Sequence, residues 1–164
     1  MKAILINPEE RTIRHVSYDG DYKSIYRLIR CTTFEAVYPF DNGDTLWIDE
    51  EGLLKESNFA FNIRADNPKF NQTIMGMALV LGTDAEGESV ECLSSLDDIK
   101  SRINFQGKVA IEHGADGFTI IPWEKKLLDD EYERKLMDVF KDWDQIQKNW
   151  RLDAEGKTEW QNFM

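Results

Sequence analysis

The stretch that decides the fold is Thr73-Ile74-Met75-Gly76-Met77-Ala78-Leu79-Val80-Leu81-Gly82. Its apolar run, Ile74 to Leu81, is the longest in the chain and is interrupted only by Gly76. Asn67-Pro68 marks a loop before it, and Asp84-Ala85-Glu86-Gly87 supplies turn residues after it. A run of this length fits a buried strand, Thr73 to Leu81, and is far too short to cross a bilayer. A strand this apolar needs cover from the rest of the chain, so the flanking segments should build a sheet around it.

Upstream, Lys2 to Ile6 reads as an opening strand closed by Asn7-Pro8, with Thr12 to Ser17 as its hairpin partner. Asp19-Gly20 turns the chain and Asp21 can cap a helix. Tyr22, Ile25, Tyr26 and Ile29 then share one helical face. Thr32 to Tyr38 and Thr45 to Ile48 read as strands joined through Pro39 and Asp41-Asn42-Gly43-Asp44, while Phe59 to Ala65 is ambiguous.

Downstream, Ser94 or Ser95 can cap a short helix with Asp97 and Asp98 in its first turn and Leu96, Ile99 and Ile103 on its apolar side. Lys108 to Glu112 and Phe118 to Ile121 form a hairpin around His113–Gly117. A long helix, roughly Glu124 to Asn149, carries Leu128, Tyr132, Leu136, Phe140, Trp143 and Ile146 at 3–4 spacing. The expected fold is α+β: a small, mostly antiparallel sheet with short helices and a long C-terminal amphipathic helix. The expected organisation is an α+β domain over 1–107, with the hairpin, helix and aromatic tail of 108–164 packed on or beside it.

The 164 residues, 41% hydrophobic with nine Phe, five Trp and five Tyr, suffice for a core. This composition excludes a collagen-like, disulfide-framework or wholly disordered chain. Two cysteines, Cys31 and Cys92, and an apolar opening too short for a signal-peptide core point to the cytoplasm and reduced thiols.

The net charge of −11 is uneven. Residues 1–40 hold six basic and five acidic groups, a balance of +1, and the remainder hold 14 and 26, a balance of −12. Asp84 to Asp98 has six acids and no base. Such a surface repels nucleic acid, whose affinity for proteins comes largely from Lys and Arg at phosphates, and attracts basic partners.

Three segments share the form Asp-x-Glu-Gly: Asp49–Gly52, Asp84–Gly87 and Asp153–Gly156. Each is expected to be a turn, its Asp accepting a backbone N–H two residues on and its Gly taking the left-handed conformation. None continues as a calcium loop. Two histidines, His15 and His113, and two cysteines are too few and too scattered for a zinc site. No phosphate-cradling glycine loop is present. Glu112-His113 with Asp116 could pair imidazole and carboxylate, but a Gly-rich hairpin tip accounts for these residues without chemistry. No catalytic residue, metal or cofactor is assigned.

Several segments together resemble an uncharacterised family, domain of unknown function 3846, over roughly the first 105 residues. They are the Met1-Lys2-Ala3-Ile4 opening with Asn7-Pro8, Leu46-Trp47-Ile48-Asp49-Glu50-Glu51-Gly52, Asn62-Ile63-Arg64-Ala65, Ile74 to Gly82, and Leu96-Asp97-Asp98-Ile99. The resemblance implies a bacteriophage or mobile-element setting, where small acidic proteins often act on host machinery. It brings no catalytic residue.

The expected function is therefore a non-enzymatic, acidic inhibitor that binds a basic surface of a host defence or nucleic-acid-binding protein, its carboxylates imitating DNA phosphates. It would bind neither nucleic acid directly nor membrane. The candidate contact residues are Asp84, Glu86, Glu88, Glu91, Asp129, Asp130, Glu131 and Glu133, with Trp150 and Trp160 of the aromatic tail also available for a homodimer. The alternative is a protein that sequesters a nucleotide or other small ligand through Lys23, Arg27, Arg30 and Arg64. An enzyme with a carboxylate site stands third.

Overall fold

The computed structural model describes residues 1–154; side chains at 144, 146 and 148–154 are not among those described. The chain divides into two compact units, Met1–Trp123 and a second from Glu124 onward. The 107/108 division drawn from the sequence falls inside a strand of the first unit.

The first unit is built on two antiparallel sheets. One has the order β2-β1-β7-β4-β3, from Thr12–Ser17, Lys2–Asn7, Ala78–Thr83, Thr45–Asp49 and Phe34–Val37, with the short β8 (Ser89–Val90) added to β7. The other has the order β10-β9-β5-β6, from Gly117–Pro122, Ile103–Gly114, Ser57–Ile63 and Ile74–Met75. The α+β class follows, with the strands shared between two sheets.

The segment read as one strand, Thr73 to Leu81, is in fact two. Its first half is β6, which pairs with β5 in the second sheet, and its second half is β7, the centre of the first sheet. Gly76 makes the corner: it has φ +84°, in the left-handed region, and its N–H donates to the Phe59 carbonyl at 2.7 Å. An apolar run cannot reveal such a corner, because both halves are buried. Only the glycine within it permits the turn.

Side-chain alternation along β1 and β7 explains why both strands are apolar throughout. Leu5, Leu79 and Leu81 join Tyr18, Ile25 and Ile29 on the face covered by helix α1 (Lys23–Leu28). Ile4, Ile6, Ala78 and Val80 point the other way, towards Phe61 and Ile63 of β5 and Ile99 of helix α2 (Leu96–Arg102). Each fully buried aliphatic side chain contributes about 1.5–3 kcal/mol relative to exposure.

Ser95 caps α2 as expected, its Oγ accepting the Asp98 N–H at 3.1 Å. At α1 the expected apolar face is shorter by one residue. Tyr22 is 58% exposed because it sits at the N-cap rather than inside the helix. The helix closes with the Cys31 N–H donating to the Tyr26 carbonyl, which places Arg30 at φ +55° where glycine is usual.

The ambiguous segment Phe59 to Ala65 is strand as far as Ile63, within β5 (Ser57–Ile63), and β9 begins earlier than expected, at Ile103. β5 provides its neighbour along the first two thirds, from Ile103↔Ile63 to Ala110↔Ser57, with a bulge near Gly107.

The described residues of the second unit belong to helix α3, Trp123–Ala154, whose first residue is the last of the first unit and follows β10 directly. Lys126–Asp130 (3.0 Å) and Glu131–Lys135 (3.4 Å) are i,i+4 ion pairs on its surface. Among the described residues no helix is long and apolar enough to cross a membrane.

Candidate interaction surface

The β7–β8 hairpin presents the first group of predicted acids. Asp84 Oδ1 accepts the N–H groups of Glu86 (3.0 Å) and Glu88 (2.9 Å), and the Gly87 N–H donates to the Asp84 carbonyl at 3.1 Å. Gly87 has φ +82°, so this Asp-x-Glu-Gly turn has the geometry expected of it. Asp84 is thus spent on holding the loop, while Glu86 and Glu88 are exposed at its tip. Glu91 Oε1 accepts the Lys2 N–H at 3.2 Å, tying the outgoing strand to the start of β1.

A buried carboxylate that the sequence did not single out anchors the same hairpin. Asp44 is 1% exposed, and its two oxygens accept the Leu93 N–H (2.9 Å) and the Ser94 N–H (2.8 Å). It therefore fastens the β3–β4 turn to the chain leaving β8. The only hint was its place in Asp41-Asn42-Gly43-Asp44, which reads as ordinary turn chemistry.

The second Asp-x-Glu-Gly copy departs from expectation. Asp49 Oδ1 accepts the Glu51 N–H at 2.9 Å, but Gly52 opens a 3₁₀ turn, Gly52–Leu54, and has no positive φ. A Cβ there would lie 2.9 Å from Met75 Cβ and O, so close packing rather than backbone sign requires glycine. The third copy, Asp153–Gly156, runs beyond the described residues.

Asp129, Asp130, Glu131 and Glu133 lie on α3, with Asp130 and Glu131 engaged by Lys126 and Lys135. They belong to the second unit, and the hairpin acids to the first. The Trp150 side chain and all of Trp160 fall outside the described residues.

The four cations of the alternative reading do not converge. Arg27 Nη2 donates to Ser24 Oγ at 3.1 Å on α1, beside the exposed Lys23. The Arg64 N–H donates to the Arg102 carbonyl, and the Arg102 guanidinium donates back to the Arg64 carbonyl and pairs with Asp66 at 2.9 Å. The Asp41 N–H and Arg102 together hold the Asp66 carboxyl below its ordinary range. Arg30 alone faces a cavity, about 160 Å³, at the Gly76 corner, with Lys55 and Asn58 also lining it. Lys55 is held there by Asp49 at 3.4 Å.

The thiols are poor nucleophiles. Burial, and then Asp49, push Cys31 up to about 11, and burial followed by Asp44 raises Cys92 as well. At pH 8 a pKa of about 11 leaves roughly one thiolate in a thousand. His113 pairs across the hairpin with Phe118, their ring centroids 6.5 Å apart.

Fold and surface together define a small α+β protein of paired antiparallel sheets that displays carboxylates on a hydrogen-bonded hairpin. The chain belongs to the family of the domain of unknown function DUF3846, whose model matches residues 1–104. That match ends as β9 begins, so the β9–β10 hairpin and α3 lie outside it. Searches of curated proteins and of solved structures find no match.

Proposed function

We propose that this chain is a non-enzymatic interaction protein, at work in a phage or mobile-element setting, that engages a basic surface of a host protein. The observation that carries the reading is the β7–β8 hairpin. Asp84 and Asp44 hold its backbone, leaving Glu86 and Glu88 outward with no basic residue between Asp84 and Asp98. Carboxylates on a pre-ordered turn lose little entropy on binding. Opposed charge then steers the encounter and selects the partner. A host protein whose basic groove normally holds nucleic acid suits such a surface, since duplex DNA carries one charge per roughly 1.7 Å.

Affinity capture from nuclease-treated host lysate tests this. At about 50 mM salt a basic protein is retained, and at about 500 mM, where screening falls to a few ångströms, it is lost. Glu86→Gln with Glu88→Gln reduces the capture. Salt-independent retention, or a retained partner without a basic surface, would overturn the reading.

A second reading rests on the Arg30 cavity: sequestration of a small anionic ligand. Its volume matches a ligand of benzene size rather than a nucleotide. A thermal-shift screen of small carboxylates and phosphates, with Arg30→Gln as control, tests it.

A further inference from the structure

Two adjoining hollows of about 620 and 450 Å³ lie in the first unit, sharing Glu50, Leu53 and Phe118 in their lining. Their walls combine apolar side chains, among them Ile74, Met75 and a half-exposed Phe118, with the carboxylates of Glu35, Glu50 and Glu51. No Lys or Arg lines either hollow. Thr32 Oγ1 donates to Glu51, whereas the side-chain carboxylates of Glu35 and Glu50 have no hydrogen-bonding or ionic partner among the described residues.

A strand edge runs beside them. Among the described residues β3 has β4 as its single neighbour. The Glu50 N–H donates to the Thr33 carbonyl, which makes Thr33 and Glu50 a hydrogen-bonded pair in that ladder. Antiparallel ladders alternate, so Glu35 and Val37 also bond inward, and the N–H and C=O of Phe34 and Ala36 face outward.

We propose that this groove docks an extended peptide segment of a partner protein that carries both apolar residues and Lys or Arg at every second position, on the one strand face that looks into the hollows. The segment adds to the free edge of β3, its apolar side chains enter the hollows, and its cations meet Glu35 and Glu50. Charge decides the occupant: an acidic segment would face the rim carboxylates with no counter-charge, and a polar one would leave the apolar floor wet. Main-chain pairing supplies affinity in such additions, and the pockets supply selection. The inference rests on the reading of the chain as a partner of basic proteins, and it assigns a surface distinct from the β7–β8 hairpin.

The test uses the full chain and a fluorescent peptide in which valine and lysine take turns at every second position with serine between them, followed by anisotropy and by amide exchange. Binding should protect the Phe34 and Ala36 amides. Glu35→Gln with Glu50→Gln should weaken it about tenfold, as expected for losing two rim ion pairs. Glu86→Gln with Glu88→Gln should change it less than about twofold, and a lysine–glycine peptide of equal charge should bind about tenfold more weakly. Equal binding of the two peptides, or equal loss from the two double variants, would mean unspecific charge attraction and overturn the groove. Absence of binding would also overturn it, while salt-sensitive capture of a basic protein would leave the proposed function standing.

Discussion

A single buried carboxylate shows how the acidic hairpin is made rigid. Asp44 satisfies two backbone N–H groups from another segment, and a charged acceptor makes such bonds about twice as strong as neutral ones. Asp44→Ala strands the buried Ser94 donor and frees the Leu93 one, so urea unfolding should show a loss of about 2–4 kcal/mol. Asp44→Asn keeps an acceptor and should lose less. If both variants unfold like the parent, Asp44 does not hold the hairpin. Composition could not expose this residue, because an aspartate on an exposed turn and one that is only 1% exposed look alike in a sequence. Burial separates them, and burial depends on the segment around Ser94 that folds over it.

At the scale of elements, two glycines near the decisive strand do different work. Gly76 has the left-handed backbone that turns the chain from β6 to β7, yet a Cβ there meets nothing nearer than Asn58 Nδ2 at 3.6 Å. Gly82 has ordinary backbone, but a Cβ would run into the Glu91 carbonyl of the chain paired beside it. Gly76→Ala should therefore cost about 1–2 kcal/mol of backbone strain. Gly82→Ala should cost more, since backbone must move, and should also broaden the amide signals of the β7–β8 hairpin. Equal effects in chemical denaturation would contradict this division.

The period-two and 3–4 patterns made most elements legible: β1, β2, β4, α2 and the β9–β10 hairpin stand close to where the residues put them. The corner at Gly76 was not legible. Neither was the length of β9, which β5 extends by pairing along its first two thirds.

Over the whole molecule, charge is the property read most directly from composition. The first unit holds 12 basic and 20 acidic residues, a balance of −8, and the remainder 8 and 11, a balance of −3. Self-repulsion of this size destabilises the compact state, so raising salt from about 20 to about 200 mM should raise the midpoint of thermal unfolding. A fall would show that ion pairs such as Arg102–Asp66, screened by the same salt, outweigh the repulsion.

The candidate contact acids were legible as a run without bases. The groove beside β3 was not, because its lining comes from four separate stretches between Thr33 and Ile120. By itself the sequence determined the α+β class, the apolar centre and the sign of the chain's own net charge. These follow from local periodicity and from counting, which need no knowledge of neighbours. The tertiary structure alone decided that one apolar run serves two sheets, that Asp44 is a buried anchor, and that Glu35 and Glu50 share a groove with Phe118. Each of these depends on residues far apart in the chain, brought together when the apolar faces of the two sheets close on one another.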